Sequence, residues 1–191
     1  MKSTRTFLIL ALTLAAVFTT PAISQASSDF TMGGKGLTKV ETETFEGTFN
    51  FTSSAGGISC PVKTEVELEP GSTGKVKTFA PTKTESCTYS GNLDNLCGVV
   101  DTHTATGLPW TAHAEEVSGV KVIRISTPHL DLGGTGLFCT DVTIKGDVVA
   151  TPDKAGEISS VGISGTLESN LGTNVTAGGT LNAAHPKTWG I

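Results

Sequence analysis

Residues 58–69 constrain the fold more than any other stretch. Ile58, Cys60, Val62, Thr64, Val66 and Leu68 alternate with Ser59, Pro61, Lys63, Glu65, Glu67 and Glu69. A period of two sends the first set to one face of an extended strand and the charged set to the other. A helix repeats every 3.6 residues and would mix the two sets around its circumference. The strand therefore belongs to a sheet with one buried and one solvated face, the usual situation of antiparallel pairing. Pro61 has no N–H for a ladder bond, so it belongs at a strand end, a bulge or an edge.

The same signal recurs between turn residues. Phe45, Gly47, Phe49 and Phe51 share one face, opposite Glu46, Thr48, Asn50 and Thr52, and Ala55-Gly-Gly57 turns the chain into the next strand. Pro70-Gly71 ends that strand, and Lys75 to Ala80 starts another. Strands are predicted over Cys97–Thr106 and Trp110–Val117, joined by Gly107-Leu-Pro109, and over Val120–Ser126 after a Ser118-Gly119 turn. Phe138 to Ala150 reads as one long strand with Gly146 as a bend or bulge. Val161, Ile163 and Leu167, then Val175, Ala177 and Leu181, complete the series.

About nine or ten short strands without crossover helices predict an all-β, antiparallel fold. The two-sheet β-sandwich is the preferred architecture, with a closed β-barrel as the alternative. An outer-membrane barrel needs aromatic girdles at both interfaces, which 1 Tyr and 2 Trp do not supply.

The first 26 residues stand apart. Lys2 and Arg5 precede an apolar run from Phe7 to Phe18, and Ser24-Gln-Ala26 places small residues at a cleavage site. This is the layout of a helical secretory signal peptide, and the run falls short of the ~20 residues that span a bilayer. Residues 27–35 read as a flexible lead-in and 36–191 as a single β-domain. The expected location is secreted, with no membrane span in the mature chain. The leader holds two cations and no acid, so the remainder is more acidic than the whole chain, whose net charge is −5. Nothing resembles a basic stripe, which removes the electrostatic footprint of nucleic-acid binding.

Cys60, Cys87, Cys97 and Cys139 form an even set, which in an exported chain reads as two disulfides. Spacing favours Cys87–Cys97 across Gly91-Asn-Leu-Asp-Asn95, leaving Cys60–Cys139 to tie distant strands.

Candidate chemistry is sparse. Asp101 and His103 share a strand face and His113 lies on the following strand. If those strands pair, about 4.8 Å apart, the three side chains converge within metal-ligand reach, and zinc takes three or four such ligands. The plainer reading is a set of solvated histidines. Glu115-Glu116 cannot share a substrate bond, because strand neighbours face opposite ways. No Gly-x-Ser-x-Gly elbow occurs, and no cofactor motif is present. Trp110, if exposed, is a stacking platform for a carbohydrate; if buried, it is a core or rim aromatic.

Ile58-Ser-Cys-Pro-Val62, the Cys87-x9-Cys97 segment, Leu108-Pro-Trp110, Phe138-Cys139, and Ile158-Ser-Ser-Val161 leading into Gly165-Thr-Leu167 form a recognisable set. In these motifs the chain resembles small secreted β-proteins of high-GC Gram-positive soil bacteria. The resemblance implies an exported β-domain and transfers no active site. The function expected from the sequence is a disulfide-stabilised, non-enzymatic binding or cell-surface protein, with a cell-surface or carbohydrate ligand. The rival is an exported hydrolase or metal-binding protein using Asp101, His103 and His113.

Overall fold

The structure is a computed structural model describing residues 26–54, 56–81, 87–91, 100–126, 128–134, 142–154, 157–170, 172, 174–185 and 188–191. The signal peptide expected over residues 1–26 lies almost wholly outside the described residues. The described residues form strands and connections without a helix, and none therefore offers a helix long and apolar enough to cross a membrane.

Three short strands come first, β1 (Ala26–Ser27), β2 (Thr31–Met32) and β3 (Lys35–Gly36). The long hairpin β4 (Glu41–Ser53) and β5 (Gly56–Leu68) follows, then β6 (Thr73–Pro81), β7 (Thr88–Gly91) and β8 (Val100–Thr106). Next are β9 (Trp110–Val117), β10 (Val120–Ser126), β11 (His129–Gly134), β12 (Val142–Lys145) and β13 (Val148–Lys154). The chain ends with β14 (Glu157–Ser169), β15 (Asn174–Ala183) and β16 (Trp189–Gly190).

Eight of these strands close on themselves in the order β4-β5-β6-β9-β10-β13-β14-β15, because β15 pairs β4 and β13 pairs β14. The all-β expectation holds, and the architecture is the barrel alternative, not the preferred sandwich. Closure follows from strand length. β14 has 13 residues; Glu157–Gly165 bind β13, while Glu168 and Ser169 bind β12 on the same edge. β5 does likewise, binding β7 through Gly56–Ser59 and β6 through Val62–Leu68. The long strands thus run through the barrel and out into a curved extension, β7-β5-β4-β15-β14-β12-β11-β8.

Pro61 sits where the neighbour of β5 changes from β7 to β6, a local edge of the kind its missing donor requires. A bulge opposite Glu65 and Val66 leaves Lys77 with no residue facing it in the β5 register; such an extra residue strengthens local twist and helps a sheet curl. Gly146, at φ 147°, divides the expected long strand into β12 in the extension and β13 in the barrel.

Interior faces are apolar and outer faces polar. Phe45, Phe49 and Phe51 of β4 are buried, with Glu46 and Thr48 exposed. Transmembrane barrels carry their apolar side outward, so this alternation is inverted relative to theirs. A single apolar core runs through barrel and extension.

One barrel end is sealed by a small sheet, β16-β2-β3. Residues 28–35, within the stretch read from sequence as lead-in, pack here together with Gly36 and Leu37. Phe30 is fully buried and its N–H donates to the Gly71 carbonyl in the β5–β6 turn at 2.8 Å. Trp189 and Ile191 are buried beside it, and the Lys121 ammonium donates to the Ile191 carbonyl at 2.7 Å.

Candidate functional site

The barrel interior contains a cavity of about 60 Å³. Its walls come from all eight barrel strands: Phe45 and Phe49 from β4, Phe79 from β6, Trp110 from β9, Ile123 from β10 and Ile163 from β14 are representative. Thr64 is the one polar residue on the wall, and its hydroxyl donates to the Thr78 carbonyl at 2.7 Å. No polar group of the wall is thus left to recruit water. A space this size exceeds the ~10–15 Å³ one water needs, yet a wholly apolar cavity stays dry.

Trp110 belongs to this site, not to the surface. It is 3% exposed, and its indole N–H donates to the Thr106 carbonyl at 2.8 Å. Of the two readings of Trp110, the structure takes the buried one, not the exposed sugar platform: its polar edge is used internally and its ring faces the cavity. Phe79 stands against it with ring centroids 5.5 Å apart, and meets Phe49 edge-on at 5.4 Å. Beyond Phe79 lies a second apolar cavity of about 10 Å³, between Phe51, Cys60 and Leu132.

Polar groups concentrate in two other places. An open groove of about 480 Å³ where the extension meets the barrel gathers His129, Lys145, Asp147, Thr166 and Glu168. It carries both signs of charge on adjacent strands, since His129 lies opposite Lys145 and Lys145 opposite Glu168. Nearby, Asp131 accepts from the Thr143 hydroxyl at 2.8 Å.

The second place is the sealed end. Glu43 projects inward from β4, and its side chain is 1% exposed. It accepts from the Trp189 indole at 2.8 Å and the Thr44 amide at 2.9 Å, with His185 Nδ1 at 3.3 Å. Burial works to raise its pKa, but the bonds from Trp189, Thr44 and His185 together outweigh burial and hold it below the usual carboxylate range.

The Asp101, His103 and His113 convergence required β8 and β9 to pair, and they do not. β8 pairs β11, placing His103 opposite Leu132. Both edges of β9 are taken, by β10 on one side and by β6 and β1 on the other. The Gly107–Pro109 connection carries the chain from the extension into the barrel instead of folding it back as a hairpin. His113 is exposed, opposite Arg124 and Thr73, while the side chains of Asp101 and His103 lie outside the described residues. Among the described residues no three His, Cys, Asp or Glu side chains are grouped to hold a metal ion.

The disulfide pairing is also corrected. Cys60 bonds Cys87, with Cα atoms 4.2 Å apart. The reason is register: Ser59 lies opposite Thr88, so the next pair along β5 and the start of β7 is Cys60 and Cys87. The Cys87–Cys97 pairing is excluded, and Cys60–Cys139 with it. Cys97 and Cys139 lie outside the described residues.

Sequence reasoning missed Phe79 and Glu43. Phe79 ends a short strand without strong alternation, and Glu43 looks like any acid in a Thr-rich run until Trp189 is brought to it.

No protein-family model, curated protein or solved structure matches the chain.

Proposed function

We propose that this is an exported, non-enzymatic binding protein that holds a small apolar molecule inside its barrel. The observation carrying the reading is the apolar-lined cavity beside Phe79 and Trp110. At about 24 cal/mol per Å³, a void of this size costs on the order of 1.5 kcal/mol. One larger side chain in place of Ala112 or Ala150, both on its wall, would remove that cost. Eight-stranded barrels are also wide enough to hold one small ligand among their side chains.

Export is supported by the leader-like first 26 residues and by the Cys60–Cys87 bond, since disulfides persist in oxidising compartments. The motif resemblance to small secreted β-proteins of high-GC Gram-positive soil bacteria points the same way.

Xenon is the first probe, because an apolar cavity binds it without polar anchors. Xenon added to the folded protein should shift the methyl resonances of Val148 and Ile163 saturably. Ala150→Val, which fills the space from β13, should abolish the shift. A response in the wild type that only rises linearly with pressure, as for surface contacts, would end this reading.

A further inference from the structure

The geometry points to Phe79 as a movable partition that selects slender, unbranched apolar chains for the barrel; this rests on the binding function proposed above. The two cavities lie on either side of one ring. Phe79 and Leu130 line both the larger cavity in the barrel and the smaller one in the extension. Of the two, only Phe79 is partly exposed, whereas Leu130 is buried. Phe79 is also the next-to-last inward position of β6, at the mouth where the chain leaves the barrel.

Its ring is held by two aromatic contacts, edge-on against Phe49 and tilted against Trp110. Such contacts are worth about 0.5–1.5 kcal/mol each beyond the buried area, a cost that a minor state can bear, and the partly exposed side of the ring is where a χ1 rotation would take it. With the ring turned aside, the two cavities join into one passage along the strand direction. Phe45 and Phe49 of β4 and Thr64, Val66 and Leu68 of β5 line the larger cavity, and Phe51, Cys60 and Val62 continue the same strands along the smaller one, so the joined passage runs end to end along the strands. A straight hydrocarbon segment matches that shape; a compact ring of equal carbon number does not. The walls add no charged or unpaired polar group to hold a headgroup, which makes the alkyl part of the ligand the recognised part.

The test compares n-hexane with cyclohexane, measured by vapour depletion over solutions of the intact protein, and uses xenon in parallel. If the open state is a minor one of about 1–10%, Phe79→Ala should tighten n-hexane binding about 10–100-fold and leave cyclohexane nearly unchanged. Leu130→Ala widens both cavities without removing the partition and should not reproduce that selectivity. Phe79→Met keeps the side-chain volume on a flexible stem, guards against loss of folding, and should shift n-hexane in the same direction. Equal gains for both hydrocarbons in Phe79→Ala, or no gain for n-hexane, would overturn the partition while xenon binding still upheld the cavity. Absence of xenon binding in the wild type would instead remove the parent reading.

Discussion

At the scale of single residues, burial and partner decide what each side chain contributes. Val66 lines the barrel cavity whereas Glu67, one position along, faces out and meets Lys77 at 3.4 Å. Val66→Asp would put an unpaired carboxylate among apolar side chains, at a cost of several kcal/mol out of a typical 5–15 kcal/mol. Glu67→Gln loses only a solvent-screened ion pair, worth about 0–1 kcal/mol. Urea melts of the two variants should therefore differ widely, and a harmless Val66→Asp would mean that β5 had been placed with its faces reversed. Glu43 is the opposite case, an acid whose burial is stabilising because its partners come with it. Glu43→Ala strands the buried Trp189 indole N–H, and each such orphan costs about 1–3 kcal/mol. Because the folded carboxyl titrates below its unfolded value, its contribution is complete above the unfolded pKa and is lost as pH falls through the lower folded one. The wild type should accordingly lose more stability than Glu43→Gln between neutral pH and pH ~3, where carboxylates protonate. Parallel pH profiles for the two proteins would show that the Glu43 charge is not what stabilises the sealed end.

At the scale of elements, the sequence was legible wherever one strand carried its own alternation. The Phe45–Phe51 and Ile58–Leu68 faces, and the boundaries Trp110–Val117 and Val120–Ser126, coincide with the strands found, because each depends only on which side chains share a face. Pairing across distance was not legible. Nothing in residues 88–91 announces that β7 joins β5 past β6, or that one edge of β14 serves both β12 and β13. The β4–β15 seam shows the physical constraint that such pairing imposes. A Cβ built on Gly179 would overlap the Thr48 carbonyl, and one on Gly47 would overlap the Thr180 carbonyl. Gly179 also has φ +139°, a region that side-chain-bearing residues rarely adopt. Gly179→Ala therefore meets both a clash and backbone strain, each on the order of 1–3 kcal/mol. Thermal unfolding should show a drop of several degrees at least, whereas Gly36→Ala in β3, with open space around it and no left-handed backbone, should lose much less.

At the scale of the whole molecule, barrel and sandwich share the same strands and differ only in whether the last edge finds the first. That choice was not written in any single segment: it depends on β14 being long enough to bind β13 before it overhangs to β12. The candidate site was partly legible in the same sense, since Trp110 was recognised as either core or platform, while the cavity it lines exists only once eight strands enclose it. The disulfide follows the same logic and gives a direct check on topology. Cys60–Cys87 spans 27 residues of sequence, a loop whose closure is worth about 3–4 kcal/mol in the chain-entropy picture. That stabilisation is unevenly placed, because among the described residues β7 is held to β5 by the Gly56–Ser59 register alone, whereas the barrel closes through its own ladders. Cys60→Ser/Cys87→Ser should therefore release the amide protons of β7 to exchange first and leave those of β9, β10 and β13 protected. Non-reducing peptide maps of the wild type should recover Cys60 joined to Cys87, and with that pair fixed the four cysteines leave Cys97 only Cys139 to meet. A Cys87–Cys97 peptide in that map would detach β7 from the register found here, and with it the overhang of β5 on which the extension of the barrel is built.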